Sequence, residues 1–429
     1  MYNNIDNEVF LDSFIDYATF AYGVDEPYIA YAGAKKTLIG FLFLYLINDR
    51  LELANFNNTE DYLKLHSCLS KIFTSGNIEE DILKKTFSLF EKNFKLPLGF
   101  LEIQSLKKYL DDGLIIFKEN LNLHGLPSNI DCSSVLKDLI SRPQGSKDAA
   151  NTYLHYTNES LQKIGAGILK VKSDETFMDC CCGMFSSALY NDAANYIGVE
   201  QDKEMAGIAA MIMIMCKKKF DLKKENFVES KYENVADKIF TDVSYGVEMP
   251  KMENRPYGKN GEAYCIENAV KALKDGGTAV VACSGSVLVK QDSSKKMREA
   301  ITRDHLKAVI ALPPMNNGTK SNTNLIVLEK NCHAKEIKFI NASNLEIENE
   351  KRMTLNESDI SDVIKCIDGE KSSCLSKNIN VEDVLNSSAI SWTPNYYVDR
   401  GKNVEVRPVE VIDKELKASY KELKKLMSE

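Results

Sequence analysis

From Thr176 to Glu329 short apolar runs alternate with helical stretches, and this alternation confines the chain to a sheet flanked by helices. The strand candidates are residues 176–180, 196–199, 238–241, 278–283, 306–311 and 324–329. Helical periodicity covers 188–195, 205–217, 263–273 and 294–302 between them. Strands joined through helices run parallel, so the expected fold is α/β with a doubly wound, mostly parallel sheet. Such sheets bind ligands beyond the carboxyl ends of their strands, near the point where strand order reverses. Three strand ends deliver polar groups to that edge. They are Asp179-Cys180-Cys181-Cys182-Gly183, Val199-Glu200-Gln201-Asp202 and Thr241-Asp242-Val243-Ser244-Tyr245.

The flanks read differently. Residues 1–146 form a helical N-terminal domain with helices over 27–51, from Tyr62 to Ile72, 82–90, 101–110 and 133–140, and a break at Pro97-Leu98-Gly99. The apolar run 38–47 is too short to span a bilayer and reads as a buried helix. Arg142-Pro143-Gln144-Gly145-Ser146 marks a boundary, and 147–345 is the α/β domain. Its first helix follows Thr157-Asn158-Glu159-Ser160, read as a capping box with Thr157 as the N-cap. Residues 346–429 form a C-terminal tail: a helix capped by Asn356, a polar loop at 368–380, an aromatic loop at Trp392–Tyr397 and a charged helix opened by Pro408.

Charge limits the partners. The formal net charge of -8 excludes a basic body, so contact with nucleic acid would run through a local patch or a basic partner. The 11 cysteines are irregularly spaced with no Cys-x-x-Cys pair, which disfavours a metal site or disulfide framework and suits a reducing cytoplasm. The N-terminus has no basic segment followed by an apolar core, so no signal peptide is read.

Each strand end suggests chemistry. The first turn has one glycine, Gly183, where a dinucleotide site needs three, so NAD and FAD are disfavoured. An acid with a single glycine suits an amino-acid or ribose moiety. Glu200, about twenty residues further on, can accept both hydroxyls of a ribose. Asp242 beside Tyr245 can hold a planar base, the carboxylate accepting from an exocyclic amino group while the ring stacks. Cys180, Cys181 and Cys182 read as small packing residues.

Together these residues resemble the adenine-specific DNA methyltransferases, in particular the modification subunit of type I restriction–modification systems. Tyr156-Thr157-Asn158 is similar to that family's Tyr-Thr-Pro, Asp179 through Phe185 to its Asp-Pro-Ala-Cys-Gly-Ser-Gly, and Asp242-Val243-Ser244-Tyr245 to its Asp-Pro-Pro-Tyr. Leu273-Lys274-Asp275-Gly276-Gly277, Ala308–Pro313, Gly318-Thr319, Phe339–Ser343 and Tyr396–Asp399 resemble later landmarks in the same order. The resemblance implies a class I S-adenosylmethionine-dependent fold. It implies cofactor binding by Tyr156, Thr157, Asp179, Cys181, Gly183, Glu200, Gln201, Asn226 and Phe227, catalysis by Asp242, Ser244 and Tyr245, and no metal. It also implies DNA as substrate, reached through a specificity subunit, in a homo- or hetero-oligomer.

Two departures stand out. Val243 and Ser244 replace both prolines of the last motif, and Phe185 replaces a glycine, where its ring could fill the space of the methionine moiety. They point to an alternative, a catalytically inactive homologue acting as a scaffold. A methyltransferase of RNA or protein is a third reading, against which the downstream match argues.

Overall fold

The computed structural model describes residues 7–22, 27–49, 56, 58–74, 79–102, 106, 110–124, 131–142, 157–243, 256–315, 322–350, 352–387 and 389–398. Helices come first: α1 (Asn7–Tyr22), α2 (Pro27–Asp49), α3 (Thr59–Thr74), α4 (Glu80–Phe94), α5 (Leu110–His124) and α6 (Cys132–Ser141). In α2, Leu38–Leu44 is buried without interruption, as expected of a helix packed on all sides. Among the described residues no helix is long and apolar enough to cross a membrane. The break after α4 is held by Glu91, whose carboxylate accepts the backbone N–H of Gly99 and of Leu101 at 2.8 Å each.

The alternation then follows: α7 (Glu159–Leu169), β1 (Thr176–Asp179), β2 (Asn195–Glu200), α8 (Lys203–Met215), β3 (Phe220–Lys224), β4 (Ala236–Asp242), α9 (Gly261–Ala272) and β5 (Leu273–Cys283). After it come α10 (Gly285–Val289), α11 (Ser293–Thr302), β6 (Leu306–Leu312), β7 (Thr323–Glu329), β8 (Glu336–Asn341), α12 (Glu357–Asp368), β9 (Leu375–Asn380), α13 (Val381–Asn386) and α14 (Pro394–Tyr397).

The strands form one sheet in the order β3-β2-β1-β4-β5-β7-β6-β8-β9. Strands β1 to β5 are mutually parallel, while β7 runs antiparallel between β5 and β6. Order reverses between β1 and β4, which pair directly. Helices cover both faces. One face carries α7, α8 and α12 and continues without interruption into the N-terminal helices, so Phe10, Leu42, Ile164, Ala209 and Val363 belong to one apolar cluster. The other carries α9, α11 and α13, with Trp392 fully buried and its Nε1 donating to Thr302 Oγ1 at 2.9 Å. Helix α8, apolar from Met205 to Met215, lies between the sheet and α2, with Lys36 Nζ on Glu204 at 2.6 Å. Gly207 lets α8 lie close against the segment after α4, since a Cβ there would meet the Phe100 carbonyl at 2.7 Å.

The sheet is larger than its six legible strands. β3 and β9 are edge strands whose outward positions are polar, so their alternation is weak, and β9 forms where a polar loop was expected. β8 reads in sequence only as a short landmark. Residues 188–195, expected to be helical, hold a single 3-10 turn (Ser186–Tyr190), because Asn191 is already extended and β2 begins at Asn195. The N-cap of α7 is Asn158 rather than Thr157: its Oδ1 accepts the Ser160 N–H at 2.8 Å. The aromatic loop contains the one-turn helix α14. Helix α5 starts at Leu110, where a helix was expected to end. The C-terminal helix expected from Pro408 lies outside the described residues.

Candidate active site

Strand parity brings the three acids together. Phe177 pairs with Lys238 and Asp179 with Gly198. Phe177 and Phe240 face the layer that holds α7 and α8, whereas Met178 and Ile239 face the opposite one. Asp179 and Asp242 stand two residues beyond Phe177 and Phe240, and Glu200 stands two beyond Gly198, the strand partner of Asp179, so all three project on the same face. They do so at the carboxyl edge, astride the β1/β4 reversal, where an open α/β sheet holds its ligand.

Asp179 is buried. Its Oδ2 accepts from Ser187 Oγ at 2.5 Å and its Oδ1 from the Cys181 N–H at 3.2 Å. Burial pushes its carboxyl up to about 7, the neighbouring Asp242 and Glu200 add to the shift, and the two hydrogen bonds oppose it. Glu200 joins two loops: Oε2 accepts the Gly183 N–H at 2.9 Å and Oε1 the Asp202 N–H at 2.7 Å. Burial holds it above the ordinary carboxylate range. Asp242 bonds to the Thr157 side chain, and burial, with the Glu262 charge beside it, pushes it up to about 6. Three carboxyl groups gathered this way repel one another and favour a ligand that carries positive charge and hydroxyl donors.

Among the described residues, the turn after β1 is open at its glycine. Gly183 is left-handed (φ 52°), and a Cβ built there meets nothing nearer than Met205 Cε at 3.9 Å. Cys180 and Cys182 are buried and burial raises their thiols; Cys181 shares a hydrogen bond with Cys265, and that contact and burial raise it as well. None is poised as a thiolate, in keeping with a packing role.

The model for N-6 DNA Methylase matches residues 144–405, which span the sheet and this edge. The chain belongs to the N-6 DNA methylase family. Among curated proteins no sequence matches. Solved structures share the fold at low identity. The type I restriction–modification methyltransferase subunit of Streptococcus thermophilus aligns with a TM-score of 0.71 at 16% identity, covering 92% of this chain and 100% of that one. A chain from a structure on complex assembly and conformational transition of the type I restriction–modification system gives 0.64 at 16%, covering 99% and 97%. The type IIG restriction endonuclease BpuSI gives 0.53 at 15%, covering 89% and 46%.

Against this family background the departures have structural answers. Phe185 keeps the left-handed backbone natural to a glycine (φ 58°), but its ring turns away from the turn. It is fully buried, stacked on Phe177 with centroids 6.3 Å apart and planes at 20°, and edge-on to Tyr196. It fills the space above Gly198, where a Cβ would lie 2.8 Å from Phe185 Cε1. The ring therefore sits in the core and not in the turn after β1. Val243 donates its N–H to the Ala282 carbonyl at 3.3 Å, a bond proline cannot make.

Three of the remaining expected residues follow β2 and β3 on the same edge. Gln201 is exposed after β2. Asn226, after β3, accepts the Val228 N–H at 3.1 Å through its own side chain. Phe227 is buried against Tyr232, centroids 6.1 Å apart. Tyr156, Ser244 and Tyr245 lie outside the described residues. Ser187 and Glu262 were not legible as site residues. Ser187 falls just before the stretch that reads as helix, and Glu262 looks like an ordinary first-turn acid of α9.

Proposed function

We propose that this chain methylates the exocyclic amino group of adenine in DNA, using S-adenosylmethionine, as the modification subunit of a type I restriction–modification system. The observation that carries the reading is the convergence of Asp179, Glu200 and Asp242 on one face at the sheet reversal, inside the family-matched region. The acids fit a ligand that bears a sulfonium, an ammonium and a ribose diol. On this reading Gly183 and Cys181 line the amino-acid end, Asp179 accepts from the ammonium, Glu200 and Gln201 hold the ribose, and Asn226 and Phe227 flank the adenine. Tyr156 and Thr157 close the near side.

The bound cofactor supplies an electrophilic methyl group. The protein orients the target. Asp242 accepts from the amino group of a flipped adenine while the Thr157 hydroxyl holds its carboxylate. Tyr245 stacks on the base and Ser244 borders it. The nitrogen sheds a proton as it gains a carbon, and a carboxyl that titrates near 6 is close enough to neutrality to receive it. Rate comes from positioning and from the electrostatics around that nitrogen.

The acidic chain, with net charge -8, leaves sequence reading to a specificity subunit in a cytoplasmic complex. Calorimetric titration with S-adenosylmethionine, with Asp179→Ala as control, tests the pocket. Methyl transfer to adenine-containing DNA, with and without a specificity subunit, tests the activity. Binding without transfer in the presence of the partner would return the reading to a scaffold.

A further inference from the structure

The end of β5 forms a second wall beside Asp242. Ala282 is the strand partner of Asp242, and Ser284 stands two residues beyond it, on the same side of the sheet. Ser284 begins the turn into α10 and is held by one side chain from another element. Glu262, in the first turn of α9, accepts the Ser284 N–H through Oε1 and the Ser284 hydroxyl through Oε2, both at 2.9 Å. Ser284 Oγ also lies 2.8 Å from Ser286 Oγ. Glu262 is only 3% exposed, so the two hydrogen bonds to Ser284 come from a carboxyl group held in the interior, where desolvation is costly. A cap for a one-turn helix would not need a buried charge, because a serine or asparagine does that work at the surface.

We infer that Glu262 is a positioning residue for methyl transfer: it clamps the turn at Ser284 against the end of β4 and keeps a second carboxylate beside Asp242. The inference rests on the function proposed above. The polar groups that act on Asp242 come from three elements: the Thr157 side chain from the segment before α7, Asp179 from β1 and Glu262 from α9; Cys283 of β5 stands on the opposite side of the sheet. Of these, Glu262 and Asp179 are carboxyl groups, and burial keeps Asp179 protonated up to about pH 7. The charge on Glu262 makes the Asp242 carboxylate a stronger proton acceptor, and its two hydrogen bonds fix the distance between the walls that enclose the base.

The test uses the full chain with its specificity partner and cognate DNA. Glu262→Ala lowers kcat by about 10–100-fold while the KM for S-adenosylmethionine stays within about two-fold, because the lost contacts act on orientation rather than on cofactor binding. Glu262→Gln keeps an acceptor for the Ser284 N–H and a partner for its hydroxyl, so it restores most of kcat. It also removes the charge, so the acid limb of the kcat profile moves to lower pH. An unchanged acid limb in Glu262→Gln overturns the inference, and so does wild-type kcat in Glu262→Ala. If Glu262→Ala does not fold, the Glu262→Gln profile decides alone. If the wild type transfers no methyl group, the functional reading has failed, and the clamp is read separately by carboxyl carbon NMR. Asp242, assigned with Asp242→Asn, then titrates at lower pH in Glu262→Gln than in wild type if the inference holds, and at the same pH if it does not.

Discussion

Gly183 donates its backbone N–H to the Glu200 carboxylate at 2.9 Å, tying the turn after β1 to the end of β2. The second Glu200 oxygen takes the Asp202 N–H that opens α8. Glutamine can serve only one of these donors, because its amide nitrogen would face the other. Charge-assisted bonds of this kind contribute about 1.5–3 kcal/mol each. Both Glu200→Gln and Glu200→Ala therefore weaken S-adenosylmethionine binding by about 10–100-fold in calorimetry. Wild-type affinity in either variant would remove Glu200 from the site.

Stability against pH follows from Asp179. Its ordinary value of 3.8 rises to about 7 in the fold, so between these values the folded chain holds a proton that the unfolded chain has released. Stability from this group is greatest near pH 4 and falls as pH rises toward 7, by on the order of 2–4 kcal/mol. Asp242 adds a smaller loss in the same direction up to about 6. Asp179→Asn removes the titration. Its melting temperature relative to wild type increases from pH 5 to pH 8, and an equal difference at both pH values would contradict the burial argument.

Phe185 and Gly198 form a complementary pair. Phe185→Gly relieves a left-handed backbone, worth about 1–2 kcal/mol, but empties a core position worth about 3–5 kcal/mol. The net effect in chemical denaturation is a loss of about 2–3 kcal/mol, with cofactor affinity retained because the ring faces the core. Gly198→Ala destabilises the wild type by about 1–3 kcal/mol through clashes with Leu222 Cδ2 at 2.4 Å and Phe185 Cε1 at 2.8 Å, of which Phe185→Gly relieves only the second. It costs less in the Phe185→Gly background, and a double-mutant cycle measures the difference.

Asn158 does more than cap α7. Its Nδ2 donates to the carbonyls of Met315, Arg352 and Met353 at 3.1, 3.2 and 2.9 Å. Asn158→Ala loses the cap and leaves buried carbonyls unpaired, a cost of about 2–4 kcal/mol. Asn158→Asp keeps the cap acceptor yet turns a carboxylate toward three carbonyls, so it is no more stable than alanine. Urea titration of the three proteins separates a capping role, in which aspartate suffices, from an anchoring one, in which it does not.

Much of this architecture is written locally. The alternation around Thr176–Glu329, the lone turn glycine and the acids at 179, 200 and 242 follow from near-neighbour patterns, because apolar periodicity and turn chemistry depend on residues a few positions apart. Edge strands β3 and β9 escaped that reading, since a strand with solvent beside it need not alternate cleanly.

The sequence by itself determined the parallel strands β1, β2, β4 and β5 and the acids that stand at the ends of the first three. Only the tertiary structure decided that those acids share one face, that the Phe185 ring fills the gap above Gly198 rather than the turn, and that Glu262 reaches Ser284. The physical reason is register. Which residues meet across strands and layers depends on pairings between segments tens of residues apart, set by how two helical layers close on the sheet rather than by any local preference of the chain.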